Sequence, residues 1–188
     1  MQSTSVPGLF IQYNVISDKD EKEIIAWLDT QEWSNTLSRR TQHYGYEYSY
    51  KGVSLTSTNP FVGPLVIIKD FLINNKIMNQ VDQCIVNEYY KNQGITKHID
   101  GKSRNTGNIF GPIIVSISLN DDTNIVFSKD NTKIEMYVPK KSLLVMTGDS
   151  RYLWTHEIPK RVTVTNDHIV IKKNDDYRRI SLTFRSIQ

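Results

Sequence analysis

The chain has one cysteine, Cys84, in 188 residues, so it cannot close an internal disulfide. That excludes the disulfide-stapled secreted class and fits a reducing compartment, cytoplasmic or nuclear. Cys84 lies in an apolar run and reads as inert core. No run approaches the roughly 20 apolar residues that a membrane span needs, so no membrane partner is expected. The opening stretch MQSTSVPGLFIQYN lacks the basic region and long apolar segment of a signal peptide. Neither sign of charge dominates: a net charge of +3 permits a polyanionic partner without requiring one. The surplus is local, in pairs such as Arg39 with Arg40, Lys102 with Arg104, and Arg178 with Arg179. Internal repeats, low-complexity stretches and linkers are also missing. At this length one domain over 1–188, able to bury a proper core, is expected, and a monomer with it.

Short strands fill the second half. QCIVNEYY, PIIVSISL, NIVFSK, KIEMYVP, SLLVMTG, VTVTN, HIVIKK and RRISLTFR are rich in β-branched residues or alternate in polarity. Turn-like pieces separate them, among them Gly101 to Gly107 and Asn120-Asp121-Asp122. This spacing predicts a sandwich or jelly roll. Two helices precede it and pack on its outside. The first starts at Ser17, with Asp20 completing a short capping box and Ile24, Ile25 and Leu28 as its apolar stripe. The second covers residues 64–78, and residues 9–15 read as a strand. The fold class is mostly β with flanking helices.

Within that frame a few polar residues stand out. His98 and Asp100 are two apart, so on a strand both side chains leave on one side. With His156 they make two imidazoles and one carboxylate, the facial triad of non-haem Fe(II) oxygenases, which leaves coordination positions open. In RRISLTFR, Ile180, Leu182 and Phe184 point one way, and Arg179, Ser181, Thr183 and Arg185 the other. If the polar set faces the interior, two arginines enter a cavity and call for an anion, because a buried unpaired guanidinium is costly. Guanidinium pairs with carboxylate in a two-point geometry, which points to a carboxylate co-substrate. Asn87 and Tyr89 share one strand face upstream and can donate hydrogen bonds to it.

Residues 39–52, RRTQHYGYEYSYKG, alternate Tyr44, Tyr46, Tyr48 and Tyr50. As a strand this is either an aromatic face packed on the core or a basic, aromatic surface that stacks bases and holds phosphates.

Taken in order, Asn87-Glu88-Tyr89, His98-Ile99-Asp100, SLLVMTGDSRYLWTHEI with His156, and RRISLTFR resemble the AlkB-type Fe(II)- and 2-oxoglutarate-dependent dioxygenases. The resemblance covers about residues 35–186. It implies a double-stranded β-helix, or jelly roll, over about 81–188, with N-terminal helices and a nucleotide-recognition lid over about 1–80. It implies Fe(II) on His98, Asp100 and His156, with 2-oxoglutarate and O2 as co-substrates. Arg185, near Asn87, would lie by the iron-side carboxylate of 2-oxoglutarate. Arg179, Tyr89 and Ser181 would hold the distal one, although the family often has Asn where Ser181 stands. Glu157 replaces a glycine usual after the second histidine. Residues 39–50 would belong to the lid, with Arg39, Arg40, Tyr44 and Tyr46 as nucleic-acid contacts. RRTQHYGYEY is similar to the oxygenase domain that in animals is joined to a tRNA methyltransferase.

The implied chemistry is oxidation of a C–H bond coupled to conversion of 2-oxoglutarate into succinate and CO2. A hydroxyl on a carbon attached to a base nitrogen is lost as formaldehyde, whereas one on a carbon attached to carbon stays. Several family demethylases of cationic bases carry an acidic residue where this chain has Lys102. A lysine beside a cationic base repels it, which favours a neutral base such as a modified uridine. Three readings follow: hydroxylation of a modified tRNA or other RNA base, oxidative demethylation of alkylated DNA or RNA as in repair, and a non-catalytic RNA-binding module.

Overall fold

Strands carry most of the chain in the structure, a computed structural model that describes residues 1–48, 55–103 and 107–188. The order begins with β1 (Gln2–Ser3), β2 (Leu9–Gln12) and helix α1 (Asp18–Asp29). Next come β3 (Arg40–Tyr44), β4 (Tyr46–Tyr48), β5 (Leu55–Ser57) and helix α2 (Pro64–Asn74). The run β6 (Gln83–Tyr90), β7 (Ile95–His98), β8 (Lys102–Ser103), β9 (Gly107–Asn108) and β10 (Phe110–Leu119) follows. Then come β11 (Thr123–Lys129), β12 (Thr132–Val138), β13 (Leu143–Met146) and the short helix α3 (Gly148–Tyr152). The chain closes with β14 (Thr155–Ile158), β15 (Thr163–Asn166), β16 (Ile169–Lys172) and β17 (Arg178–Ile187).

These strands form a jelly roll. One sheet has seven strands in the order β1-β2-β13-β10-β17-β6-β3, and the other has four in the order β12-β11-β14-β7. The pairings within both sheets are antiparallel. Alternation on β17 divides the molecule into two layers. Ile180, Leu182 and Phe184 join a core with Ile24 and Leu28 of α1 and Leu65 and Leu72 of α2, on the helix side of the large sheet. The opposite face meets the small sheet through Ile114, Leu144 and Met146 against Ile125, Phe127 and Ile158.

Local signals account for the helix ends. Ser17 Oγ accepts from the Asp20 amide at 3.1 Å and donates to the Asp20 carboxylate at 2.7 Å, which caps α1. The expected strand over 9–15 stops at Gln12, since Asn14 takes φ 53°. The expected helix over 64–78 stops at Asn74, where Lys76 takes φ 56° and reverses the chain. Among the described residues no helix is long and apolar enough to cross a membrane.

Candidate active site

The two histidines meet across the small sheet. β14 pairs with β7 so that His156 sits opposite His98, with ring centroids 4.3 Å apart. Asp100 arrives by a different route from the one alternation predicts. β7 ends at His98, and Asp100 lies in the turn that follows, just before Gly101 at φ 63°. A side chain at position 101 would also meet the Phe110 ring, with its Cβ only 2.5 Å from Cδ2. The turn, not strand parity, therefore delivers the carboxylate. Asp100 Oδ1 lies 3.3 Å from His98 Nε2 and 4.0 Å from His156 Nε2. One ligand atom from each of the three lies within 4.8 Å of the others. His98 Nδ1 is 2.7 Å from the Thr96 carbonyl oxygen, which orients the ring and leaves Nε2 toward the centre.

Electrostatics prepare these groups as ligands. Burial pushes the Asp100 carboxyl up, but the Arg185 guanidinium, followed by the contact with His98, outweighs it and holds the group well below the usual carboxylate range. Burial pushes His156 down to about 4, so its ring is neutral near pH 7. An ionised carboxylate and a neutral imidazole are the forms a metal ion binds. Arg185 Nη2 lies 3.3 Å from Asp100 Oδ1, and its Nη1 donates to Gln83 Oε1 at 3.0 Å.

The large sheet supplies the facing wall. Asn87, Tyr89, Arg179, Ser181 and Arg185 line the same cavity as the triad. Register explains the grouping, because Arg179 pairs with Tyr89, Ser181 with Asn87 and Arg185 with Gln83 across β17 and β6. Arg179 is 1% exposed. Its Nε and Nη2 both donate to Ser118 Oγ, at 3.0 and 2.7 Å. Among the described residues its buried Nη1 has no hydrogen-bond partner, and neither has Nε of Arg185. The Arg179 guanidinium also lies 5.5 Å from the Tyr89 ring centre. Among the described residues no carboxylate forms an ion pair with Arg179. A buried guanidinium left with a free donor costs several kcal/mol, on the order of 3–5 when a charge partner is missing. The arrangement fits a small dicarboxylate with one end toward Arg179 and the other toward Arg185 and the triad.

In the segment 39–50 the described residues divide between the two faces of the sheet. Arg39 Nε donates to Asn87 Oδ1 at 2.7 Å, which brings it to the cavity. Arg40 points to the other face of the sheet. There it is hydrogen-bonded to Glu88, which is fully buried and also accepts from Arg178 Nε at 2.6 Å. Tyr44 is only 2% exposed, and its hydroxyl donates to Gln42 Oε1 at 3.0 Å. Tyr46, by contrast, is 40% exposed. Thus Tyr44 and Tyr46 do not share a face. Gly45 breaks the strand between them at φ 80°, where a Cβ would come 1.9 Å from the Asp82 carbonyl oxygen. Tyr44 is therefore closed to a nucleic acid, whereas Arg40 keeps about a third of its side chain exposed (35%) while bound to Glu88 and the Tyr90 hydroxyl. Tyr50 and the side chains of Tyr48 and Lys102 lie outside the described residues, as does part of the Gly101–Gly107 loop.

Three site residues escaped the sequence reading. Ser118, which holds Arg179, carried a signal: Ser116 and Ser118 are polar residues of equal parity in the β-branched run PIIVSISL. Gln83 sits at the edge of β6 and carried none. Arg151 on α3 donates to the carbonyl oxygens of Asp100, Phe110 and Gly111. Nothing in its local sequence announces a fully buried arginine.

Known proteins resemble this chain. Residues 20–185 match the 2OG-Fe(II) oxygenase superfamily. The tRNA (carboxymethyluridine(34)-5-O)-methyltransferase ALKBH8 of Macaca fascicularis is 37% identical over 168 residues, 82% of this chain and 24% of that protein. The chain thus spans about a quarter of the length of that relative. The DNA N6-methyl adenine demethylase of Caenorhabditis elegans is 30% identical over 171 residues, 83% of this chain and 56% of that protein. The structure of OsALKBH1 superposes with a TM-score of 0.70 at 17% identity, covering 98% of this chain and all of that one, which shows a shared fold. The triad and the anion-seeking wall fit the Fe(II) and 2-oxoglutarate that this family uses with O2. The chain belongs to the 2OG-Fe(II) oxygenase superfamily, and the proteins it resembles include AlkB homologues.

Proposed function

We propose that this protein oxidises a nucleic-acid base, hydroxylating a modified base of tRNA or a related RNA. The observation that carries the reading is the 37% identity to a relative named for a tRNA carboxymethyluridine, over a stretch that covers 82% of this chain. Residues 1–188 are read as one oxygenase domain.

His98, Asp100 and His156 would hold Fe(II) on one face and leave the other open. When bound, the iron with 2-oxoglutarate and O2 supplies hydroxylation of a C–H bond, with succinate and CO2 as co-products. Arg179 offers its unpaired Nη1 to the distal carboxylate, beside Tyr89 and Ser181. Ser118 keeps the guanidinium aimed by taking two of its donors. Arg185, with Asn87, serves the carboxylate near the metal and also keeps Asp100 ionised. Ile125, Phe127, Leu144 and Met146 line the same space and limit water there, which strengthens these charge contacts. A base in an RNA loop reaches such a cavity without leaving a duplex stack, whereas a duplex base must be flipped.

Oxidative demethylation of alkylated DNA or RNA is the second reading, favoured by the 30% identity to the Caenorhabditis elegans demethylase. There the hydroxylated carbon is attached to a base nitrogen and departs as formaldehyde. One experiment separates the two. The protein is incubated with Fe(II), 2-oxoglutarate and either bulk tRNA or methylated oligonucleotides, and nucleosides are analysed by mass spectrometry. Gain of one oxygen on a tRNA nucleoside supports hydroxylation. Loss of a methyl group supports demethylation, and neither change in any nucleic acid overturns both.

A further inference from the structure

β3 is the outer edge of the seven-stranded sheet, next to β6. Its register decides which side chains face the cavity. Thr41 pairs with Asn87 and His43 with Ile85. Asn87 lines the cavity, and strand side chains alternate. Arg39, Thr41 and His43 therefore share the cavity side, and Arg40, Gln42 and Tyr44 the helix side. Contacts agree with this division: Arg39 bonds Asn87, whereas Gln42 donates to the Leu28 carbonyl of α1.

His43 has no role in the chemistry described above. Its Nδ1 is buried and has no hydrogen-bond partner among the described residues. A buried N–H without an acceptor is rarer than a buried lone pair without a donor, so the proton belongs on Nε2. Burial lowers the affinity of the ring for a second proton; Glu47 opposes this, and Arg185 and Arg39 add to it. The ring is thus a neutral donor within the field of the guanidinium that touches Asp100. Arg39 adds a second donor group, with its guanidinium 5.9 Å from the Tyr89 ring centre.

We infer that His43, flanked by Arg39, is a specificity-determining residue that reads the target base, its Nε2–H donating to a carbonyl oxygen of a uracil-type ring. The inference rests on the proposed RNA-base oxidation and deepens it. Single-stranded RNA bases are recognised by hydrogen bonds along their edges. A rim with donors and positive charge matches a neutral dione and repels a cationic methylated adenine or cytosine.

Two variants and one spectrum test it. His43→Phe keeps a ring and removes the donor, and His43→Gln keeps an N–H donor. In oxidation of uridine-containing tRNA, His43→Phe should lose about tenfold in kcat/KM, the scale of one hydrogen bond, and His43→Gln should recover most of that loss. In the nitrogen-15 imidazole spectrum of the metal-free protein, His43 should show the Nε2–H tautomer, and its signal should move when a uridine-containing loop oligonucleotide is added. A His43→Phe variant as active as the parent, a His43→Gln variant as impaired as His43→Phe, or an unmoved His43 signal beside intact RNA oxidation overturns this assignment alone. A parent protein that oxidises no RNA base overturns the functional reading, and this assignment with it.

Discussion

Arg151 donates from Nη1 to the carbonyl oxygen of Asp100 at 2.8 Å, tying α3 to the turn that carries the metal-side carboxylate. The same guanidinium reaches Gly111 and Phe110 carbonyl oxygens at 3.1 Å each. Its rigid fork of donors satisfies three carbonyls at once, in fixed directions that a flexible ammonium does not impose. The carboxylate itself stays free to face the histidines.

Replacing that fork should loosen the turn. Arg151→Met is expected to weaken metal binding by about 10- to 100-fold, the range for residues that orient metal ligands. Anaerobic titration with Co(II) or Fe(II) measures it. Parental affinity would mean that the turn holds its shape through Gly101 alone.

The triad makes a sharper claim. His98→Ala and Asp100→Ala should each abolish Fe(II)-dependent succinate formation from 2-oxoglutarate, because each removes one of three groups whose ligand atoms lie within 4.8 Å. Turnover equal to the parent in either variant would remove that residue from the ligand set.

Arg179 and Ser118 should act on the co-substrate. Arg179→Ala is expected to raise the KM for 2-oxoglutarate on the order of a hundredfold, as loss of a buried charge partner does. Ser118→Ala should raise it less, about tenfold, since it only frees the guanidinium it now orients at 2.7 and 3.0 Å. An unaltered KM in the Arg179 variant would show that the dicarboxylate binds elsewhere.

Glu88 ties the large sheet to α1 through charge. It is fully buried between Arg40 and Arg178, and Arg178 Nη1 also donates to Asp29 of α1 at 2.9 Å. Burial alone would push its carboxyl up, but the two arginines bring it below the ordinary value of 4.5. A depressed carboxylate contributes stability that is present above 4.5 and lost as pH falls through the folded value. Glu88→Gln should cost about 1.5–3 kcal/mol near neutrality, the scale of hydrogen bonds between charged groups, and the gap to the parent should narrow below pH 4.5. Urea midpoints from pH 7 to pH 3 test this, and a gap that stays constant would sink it.

Much of this was legible in one dimension. QCIVNEYY is strand β6 from end to end, and the alternation in RRISLTFR separates core from cavity as the fold does. The Ser17 cap was legible because capping is local in sequence. What stayed hidden depends on breaks in periodicity. Asp100 shares the site through a turn, and Tyr44 and Tyr46 part company at a glycine with positive φ. Parity arguments fail at such points because they assume unbroken strand.

The sequence by itself determined the strand-rich class, the triad's composition and the two cavity-facing arginines, because side-chain periodicity and residue chemistry are written along the chain. Only the tertiary structure decided which of the adjacent Arg39 and Arg40 meets the cavity and which binds Glu88. It also decided that Ser118, 61 residues away, aims Arg179. Those choices come from the register between strands distant in sequence, and register is set only when the sheets and their cores assemble together.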